Sequence, residues 1–247
     1  MTSTEADTPS GPVAALLVAT APDAAPDTAA QTADLLWRPV LGHPLIAQPL
    51  RALAACESIT SVTIRAQVGR NAECRDLLAA QATGSGPTLS AVCRGERNWL
   101  SLLEKCGRIR DGWLVVVDAT LPLLTTASLR AGLLAAQRTG VAIAAEQVKE
   151  TLKRVEHQAV AETLPRERLC RLCPPIIFSR EAIWRTLELY DPQGKVDAHD
   201  LFALIGLAGV PLATFDVDYP CVRVTSERDL AIVESLLRQR ESERSSI

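Results

Sequence analysis

The stretch Gly112-Trp-Leu-Val-Val-Val-Asp118 decides the fold of this chain of 247 residues. Its apolar residues follow one another without interruption, which is typical of a strand buried on both faces of a parallel sheet. Val13-Ala-Ala-Leu-Leu-Val-Ala19 has the same character near the N-terminus. Because helix-like patterns separate the strand-like segments, the sequence predicts an α/β domain.

Strand-like and helix-like segments alternate through most of the chain. Besides these two strands, the pattern predicts strands at 61–68, 89–93, 141–145, 170–178 and 211–218, and helices at 45–56, 71–81, 98–106, 126–139, 180–190, 198–207 and 226–240. Ser128 or Thr126 is expected to cap the helix that Gly140 ends, and Ser226 with Asp229 to cap the last helix. Right-handed crossover connections then give a three-layer α/β/α fold with a mostly parallel sheet.

Residues 149–168 interrupt this alternation with polar, charged and shortly alternating sequence. Such a segment cannot bury a face against the sheet, so we interpret it as a hairpin that projects from the domain. The expected organisation is a disordered lead-in at 1–11, one domain over 12–240 with a projecting β-arm at about 146–170, and a frayed tail at 241–247.

Composition limits the classes of partner. Hydrophobic residues make up 47% of the chain and charged residues 22%, which is enough to bury a sizeable core. The formal net charge is −3 and no basic block lies outside the tail, so we expect no nucleic-acid partner. No apolar run reaches the roughly 18–20 residues of a membrane-spanning helix, and the N-terminus lacks the positive region of a signal peptide. The sequence therefore predicts no membrane partner.

Seven cysteines, an odd number, favour a reduced cytoplasmic protein. Cys170 and Cys173 form a CxxC motif, but no second pair with this spacing exists to complete a zinc site. In a strand, residues three apart point to opposite faces. We therefore interpret these cysteines as small buried hydrophobic residues.

The loop after the first strand lacks the residues that usually hold phosphate. It reads Thr20-Ala-Pro-Asp-Ala-Ala-Pro-Asp27, and no glycine occurs between Gly11 and Gly42. Arg38 is the first basic residue of the chain. Proline has no N–H to donate to an anion, and a phosphate cradle depends on glycine at positive φ. The loop therefore predicts a poor phosphate site.

An ordered series of motifs nevertheless resembles one enzyme family, the 2-C-methyl-D-erythritol 4-phosphate cytidylyltransferases, along residues 13–237. The specificity lies in the order and spacing of the motifs rather than in any single one. They are Val40-Leu-Gly-His-Pro-Leu-Ile46, Arg94-Gly-Glu-Arg97, Trp113-Leu-Val-Val-Val-Asp-Ala-Thr-Leu-Pro122, Glu150-Thr-Leu-Lys-Arg-Val155, the strand 169–178, Val196-Asp-Ala-His-Asp-Leu201 and Val222-Arg-Val-Thr-Ser-Glu-Arg-Asp-Leu230.

The resemblance implies a reaction and a set of site residues. Enzymes of this family join a polyol phosphate to the α-phosphate of CTP, release pyrophosphate, use Mg²⁺ and form homodimers through the arm. Carried over motif by motif, the implied residues are Asp118 and Arg223 for catalysis, with Asp118 also as metal ligand, Gly95 and Arg97 for the nucleotide, and Thr151, Arg154, Arg166 and Asp197 for the polyol phosphate.

This chain departs from the family pattern where the triphosphate should bind. The family's lysine falls on Leu35 and its later arginine on Leu121, while Arg38 is the nearest candidate substitute for the missing cations. A triphosphate of about −4 charge needs cations in the transition state. We therefore expect weak or absent turnover. The alternative is a non-catalytic dimeric binding or regulatory protein of the same fold.

Simpler structural roles compete with the functional ones. Asp118 could cap the turn after its strand, and the arm charges could form a solvated face. Arg223 lies beside apolar residues, where an unpaired charge would be costly, so an anion or an acidic neighbour such as Asp218 is expected.

Overall fold

The computed structural model describes residues 11–20, 29–82, 86–93, 99–106, 112–190, 201–207, 209 and 211–245. Its strands in this part of the chain are β1 (Val13–Ala19), β2 (Pro39–Val40), β3 (His43–Pro44), β4 (Ile59–Ala66), β5 (Thr88–Cys93), β6 (Trp113–Asp118), β7 (Val141–Gln147), β8 (Lys153–Glu156), β9 (Ala159–Thr163), β10 (Cys170–Ser179) and β11 (Leu212–Asp216). The helices are α1 (Ala29–Leu35), α2 (Ala47–Ala54), α3 (Asn71–Gln81), α4 (Trp99–Cys106), α5 (Thr126–Thr139), α6 (Arg180–Leu189), α7 (Leu201–Leu207) and α8 (Glu227–Ser245).

A seven-stranded sheet in the order β11-β7-β10-β6-β1-β4-β5 forms the centre of the fold. The pairs β1–β4, β1–β6, β4–β5 and β7–β11 are parallel, whereas β10 runs antiparallel to both β6 and β7. The expectation of a mostly parallel sheet is confirmed. The antiparallel β10 follows directly from the arm, which reverses the direction of the chain between β7 and β10.

Helices cover both faces of this sheet, as a three-layer α/β/α fold requires. One buried cluster joins the sheet to α2, α3, α5 and α8, and a second joins its other face to α4, α6 and α7. Strand β1 shows the alternation: Ala15 and Leu17 belong to the first cluster, and Leu16 and Val18 to the second. The uninterrupted apolar run therefore serves two cores at once.

Two helices have the bounds that the sequence predicts. The predicted bounds 71–81 and 126–139 are those of α3 and α5, and Gly140 ends α5 with φ of 85°. The predicted cap of α5 was wrong: Thr125, not Ser128 or Thr126, accepts the hydrogen bond, at 3.1 Å from the amide of Ser128. Ser226 and Asp229 bond to each other at the start of α8, as expected.

Three features differ from the expected element order. Helix α1 and the short hairpin β2–β3 were not predicted, and α8 continues to Ser245, beyond the expected end at Arg240. The expected disordered lead-in at 1–11 lies outside the described residues apart from Gly11. None of the helices in the described ranges combines the length and the apolar character needed to cross a membrane.

The CxxC motif divides between two environments. Cys173 is buried in the core, whereas Cys170 is exposed. The prediction of opposite faces is confirmed, but the interpretation of Cys170 as a buried hydrophobic residue was wrong. Cys170 is the first residue of β10, and the strand becomes buried only from Cys173 onward.

Close packing of α5 on the sheet leads to a first prediction. A Cβ atom added at Gly132 would lie 2.5 Å from Cδ1 of Ile177 and 2.6 Å from Cζ of Phe215. Overpacking of this kind costs about 1–3 kcal/mol, which the better helix propensity of alanine offsets by about 1 kcal/mol. We expect Gly132→Ala to lower the free energy of unfolding by up to about 2 kcal/mol, measured by urea denaturation followed by circular dichroism.

Gly206 in α7 provides the matched control, because a Cβ atom there would meet nothing within 4 Å. We expect Gly206→Ala to leave stability unchanged or to raise it by up to about 1 kcal/mol. Equal effects of the two substitutions would contradict the packing argument.

Candidate functional site

The buried carboxylate of Asp118 ends strand β6 at the carboxyl edge of the sheet. Its side chain is 0% exposed, and its Oδ1 accepts a hydrogen bond of 2.9 Å from the amide of Thr120. Its Oδ2 forms an ion pair with Nη1 of Arg223, which also donates to the hydroxyl of Thr120 at 3.0 Å. The two residues implied for catalysis therefore lie together, although 105 positions separate them.

The backbone explains how Arg223 reaches this carboxylate. The amide of Val224 donates to the carbonyl of Thr120 at 2.8 Å, which joins the segment before α8 to the turn after β6. The side chain of Arg223 is 35% exposed, so the arginine reaches the buried carboxylate from a partly exposed position. The geometry supports contact between Arg223 and an anion at the edge of the sheet.

Arg223 has the acidic neighbour that the sequence predicts, but the choice of Asp218 as that neighbour was wrong. Asp218 was the candidate, but its Oδ1 accepts a hydrogen bond of 2.6 Å from the hydroxyl of Thr125 at the start of α5. Asp118 pairs with Arg223 instead. The expected cap is also present, because Asp118 binds the amide of Thr120 with its other oxygen. One carboxylate thus fills both roles that the sequence left open.

Two buried polar residues near this edge were not singled out from the sequence. The hydroxyl of Thr20, directly after β1, is buried and has no hydrogen-bond partner among the described residues. Arg65 is buried in β4, where it is level with Val18 of β1. Arginine is rarely buried. The sequence signal that could have identified Arg65 was a charged residue near the end of a strand that is otherwise largely apolar.

The positions at which the family carries cations hold core residues in this chain. Leu35 and Leu121 are both buried and belong to the same hydrophobic cluster. Arg38, the nearest candidate substitute, forms an exposed ion pair with Glu227 of α8 at 2.9 Å. Its guanidinium is therefore engaged at the start of α8.

The arm forms a separate two-stranded sheet of β8 and β9. Arg154 donates to Glu162 at 3.1 Å and forms a second ion pair with Glu156. Lys153 donates to the hydroxyl of Thr163 at 2.6 Å, and Thr151 is exposed just before β8. Much of the positive charge of the arm is thus balanced within the arm.

Arg166 lies where the arm returns to the domain, in a short 3₁₀ turn. Its Nη1 donates to the carbonyl of Lys149 at 2.8 Å, which closes the base of the arm. A cavity of about 570 Å³ opens at this base, lined by Glu146, Gln147, Val148, Lys149, Glu150, Leu152, Cys170 and Arg171. Two cations, Lys149 and Arg171, line this cavity.

Gly95, Arg97 and Asp197, the remaining residues implied by the resemblance, lie outside the described residues. The loop 21–28 lies outside them as well. The described part of the candidate site therefore consists of Asp118, Arg223 and the residues of the arm.

Asp118 can also be tested as a magnesium ligand. Mg²⁺ is usually held by one or two carboxylates, with substrate phosphates and water supplying the other oxygen atoms. Within the described ranges no group of three or more His, Cys, Asp or Glu side chains could hold a metal ion. Asp118 fits as a single carboxylate ligand, and its Oδ2 would have to exchange Arg223 for the ion.

Comparison with known proteins decides the family. The sequence pattern of the 2-C-methyl-D-erythritol 4-phosphate cytidylyltransferases matches residues 17–239. This chain belongs to that cytidylyltransferase family. The protein of that name from Aromatoleum aromaticum is 30% identical over 217 residues, covering 83% of this chain and 88% of the relative. The one from Dehalococcoides mccartyi strain CBDB1 is 28% identical over 214 residues, covering 83% and 89%.

The solved structures agree with the fold of the cytidylyltransferase family. The crystal structure of 4-diphosphocytidyl-2C-methyl-D-erythritol synthase from Anaerococcus prevotii superposes with a TM-score of 0.74 at 15% identity, covering 92% of this chain and 98% of that one. At this identity the likeness concerns the fold, and it confirms the expected α/β architecture.

The Asp118–Arg223 pair leads to a second prediction. Breaking a buried ion pair leaves an uncompensated charge and costs about 3–5 kcal/mol. Because Arg223 is partly exposed, we expect Arg223→Met to lower the free energy of unfolding by about 3 kcal/mol, at the lower end of that range. In the double variant with Asp118→Asn we expect a substantial part of this loss to be recovered. Urea denaturation measures both effects.

Arg38→Met is the matched control, since Arg38 also pairs with a carboxylate but both side chains are more than half exposed. Exposed pairs contribute about 0–1 kcal/mol. A loss as large for Arg38→Met as for Arg223→Met would mean that burial of Asp118 is not the cause.

Proposed function

We propose that this chain is a cytidylyltransferase with weak or absent turnover of CTP and 2-C-methyl-D-erythritol 4-phosphate. The observation that carries the proposal is the Asp118–Arg223 ion pair, in which the cation beside the candidate catalytic carboxylate is already neutralised. The buried leucines at positions 35 and 121 support it, because they replace two cations of the family pattern.

The chemistry explains why charge decides the rate. An oxygen of the polyol phosphate attacks the α-phosphorus of CTP, the new P–O bond forms, and pyrophosphate leaves with the electron pair of the broken bond. Negative charge grows on the leaving group, and donors arranged in advance around it supply much of the rate enhancement in phosphoryl transfer. An ion pair with no net charge supplies little of that stabilisation.

Arg223 is the residue that we assign to the attacked phosphate. Its guanidinium can donate to a phosphate oxygen when it leaves Oδ2 of Asp118, and the hydroxyl of Thr120 remains a partner for Nη1. The guanidinium is a planar fork suited to phosphate, unlike the point charge of the family's lysine. Asp118 would be the protein ligand of Mg²⁺, which when bound supplies positive charge to the phosphates.

The cavity at the base of the arm is the site that we propose for the polyol phosphate. Lys149 and Arg171 line it, and Arg166 closes its edge through the carbonyl of Lys149. Thr151 lies in the chain between the lining residues Glu150 and Leu152, and Arg154 belongs to β8 of the arm. The carboxylate of Glu146 pairs with Arg171, so a phosphate there would compete with Glu146 for the guanidinium.

Restoring the cations provides the third prediction. We expect a variant with Pro22→Gly, Ala24→Gly, Pro26→Arg and Leu35→Lys to release pyrophosphate from CTP and 2-C-methyl-D-erythritol 4-phosphate at least about tenfold faster than the unmodified chain, because one missing cationic contact costs about 10²–10³ in rate. A coupled phosphate assay with added Mg²⁺ measures the release.

A variant with only Pro22→Gly and Ala24→Gly separates loop flexibility from charge, and we expect no gain from it. The unmodified chain is expected to turn over well below the usual enzyme range, which begins at about 1 per second. Turnover within that range would overturn the proposal.

The second candidate function is a non-catalytic dimeric binding or regulatory protein. The balanced charges of the arm and of Asp118 favour it, since binding needs fewer cations than transfer. Calorimetric titration separates the two candidates. Micromolar binding of CTP with Mg²⁺ that Asp118→Ala abolishes supports the enzyme. Binding of a polyol phosphate without CTP binding up to millimolar concentration, and without turnover in the restored variant, supports the second candidate.

We further propose a cytoplasmic homodimer assembled through the arm. Every residue of β8 and β9 is exposed in the single chain, and the cross-strand partners Val155 and Val160 are 59% and 64% exposed. Adjacent apolar residues on an exposed hairpin are typical of an interface. The six cysteines whose side chains the structure describes are free thiols, the state in which a reducing compartment keeps them.

The dimer provides the fourth prediction. We expect light scattering at micromolar concentration to give the mass of two chains, and Val155→Asp to give the mass of one, because a carboxylate would be buried without a partner. Val68→Asp is the matched control, since Val68 is 74% exposed and lies away from the arm. A single-chain mass for the unmodified protein would overturn the proposed dimer.

A further inference from the structure

Two thiols from neighbouring elements lie in contact at one edge of the domain. Cys74 belongs to α3, and Cys93 is the last residue of β5, which is the edge strand of the seven-stranded sheet. The thiol of Cys93 donates a hydrogen bond to the sulfur of Cys74, with 3.7 Å between the two sulfur atoms. The contact joins positions 19 apart in the sequence, and both thiols are free.

Core packing holds these two sulfur atoms together. Helix α3 buries one face through Cys74 and Leu77, which lie three positions apart. Both residues belong to the larger hydrophobic cluster, and Cys93 packs against the same cluster from β5. Cys93 is also level with the buried Ala66 of β4. The thiol contact therefore depends on a helix and a strand that the core fixes in place.

The two thiols differ in their access to solvent. Cys74 is 1% exposed, whereas Cys93 is partly exposed. Burial, the hydrogen bond with Cys93 and the charge of Glu73 raise the pKa of the Cys74 thiol to about 12, and Arg70 opposes them. Cys74 thus keeps its proton at neutral pH and can donate it to Cys93 when that thiol ionises. Cys93 is the sulfur that a small solute reaches first.

We propose that Cys74 and Cys93 form a dithiol site that hydroperoxides oxidise to a disulfide, with Cys93 as the attacking thiol and Cys74 as the resolving one. With hydrogen peroxide, the Cys93 thiolate attacks one oxygen, the O–O bond breaks, and the other oxygen leaves as hydroxide and is protonated to water. Cys93 is then a sulfenic acid. The Cys74 sulfur gives up its proton and attacks the Cys93 sulfur, the S–O bond breaks, and a second water leaves. Two thiols and one hydrogen peroxide give one disulfide and two water molecules.

The contact favours a disulfide over further oxidation, because the resolving thiol already touches the attacked sulfur. The bond would join the end of β5 to α3. Cys93 directly precedes Arg94-Gly-Glu-Arg97, the motif that the resemblance implies for the nucleotide. In a reducing compartment such a disulfide is transient, as expected of a redox-sensing site. The proposal does not depend on the proposed transferase activity.

Cys170 supplies an internal comparison. It is exposed at the start of β10, so peroxide reaches it as well. Its neighbour in the CxxC motif, Cys173, is buried on the opposite face of the strand. Accessibility is thus common to Cys170 and Cys93, whereas the hydrogen-bonded thiol of Cys74 belongs to Cys93.

Peptide mapping tests the proposal directly. The full chain is reduced, freed of reductant, treated with hydrogen peroxide, quenched with catalase, alkylated with N-ethylmaleimide and digested with trypsin without reduction. Trypsin places Cys74 in peptide 71–75 and Cys93 in peptide 76–94. We expect these two peptides to become linked at least about tenfold faster than any link that includes Cys170, because groups held in contact react at a high effective concentration. Dithiothreitol should separate the linked peptides.

Single variants separate the two roles. With Cys74→Ser, we expect dimedone to trap a sulfenic acid at Cys93, because the resolving thiol is missing. With Cys93→Ser, we expect Cys74 to stay reduced under the same treatment, because it is buried. Cys74→Ala and Cys93→Ala replace the serine variants if circular dichroism shows a loss of folding.

Three results would overturn the proposal. They are a Cys93 that remains fully open to alkylation after peroxide treatment, a sulfenic or sulfinic acid at Cys93 of the unmodified chain without a link to Cys74, and a link to Cys170 that forms as fast. Because these results concern thiols alone, they remain distinct from any failure to turn over CTP.

Discussion

The ion pair between Asp118 and Arg223 is the interaction on which the rest of the site depends. A carboxylate at the end of a fully buried strand is costly without a partner, and Arg223 compensates it from the far end of the chain. The pair, with the Val224–Thr120 backbone hydrogen bond, joins the segment before α8 to the turn after β6. It orders the edge of the sheet at which α/β proteins bind ligands, and in the same step it neutralises the charge that an anionic ligand would need.

Core packing and phosphate chemistry make opposite demands at two positions of this fold. Leu35 and Leu121 lie in the larger hydrophobic cluster, where leucine contributes about 1.5–3 kcal/mol of burial each. A lysine or arginine at the same positions would give up that burial for a cation near the triphosphate. The fold tolerates the leucines because its stability rests on the sheet and both helix layers, whereas transfer chemistry depends on local charge.

Much of the fold could be predicted from local pattern, for identifiable reasons. Apolar runs such as 113–118 locate the strands, and turn and capping residues such as Gly140 and Ser226 locate the helix ends. Helix α1 lacks such signals, since it has no acidic residue in its first turn and no basic residue in its last. The hairpin β2–β3 has two residues in each strand, too few for a periodic pattern. The end of α8 has no glycine, and its charged residues continue the helix in solvent.

The sequence by itself determined the order of the main strands and helices, the family, and the absence of any basic residue before Arg38. Tertiary structure alone decided which groups meet: Arg223 pairs with Asp118 and not with Asp218, and Arg171 donates to the carbonyl of Cys221, 50 positions away. The physical reason is distance along the chain. Periodicity and capping act within a few residues, whereas these contacts depend on how strands far apart in sequence align across one sheet.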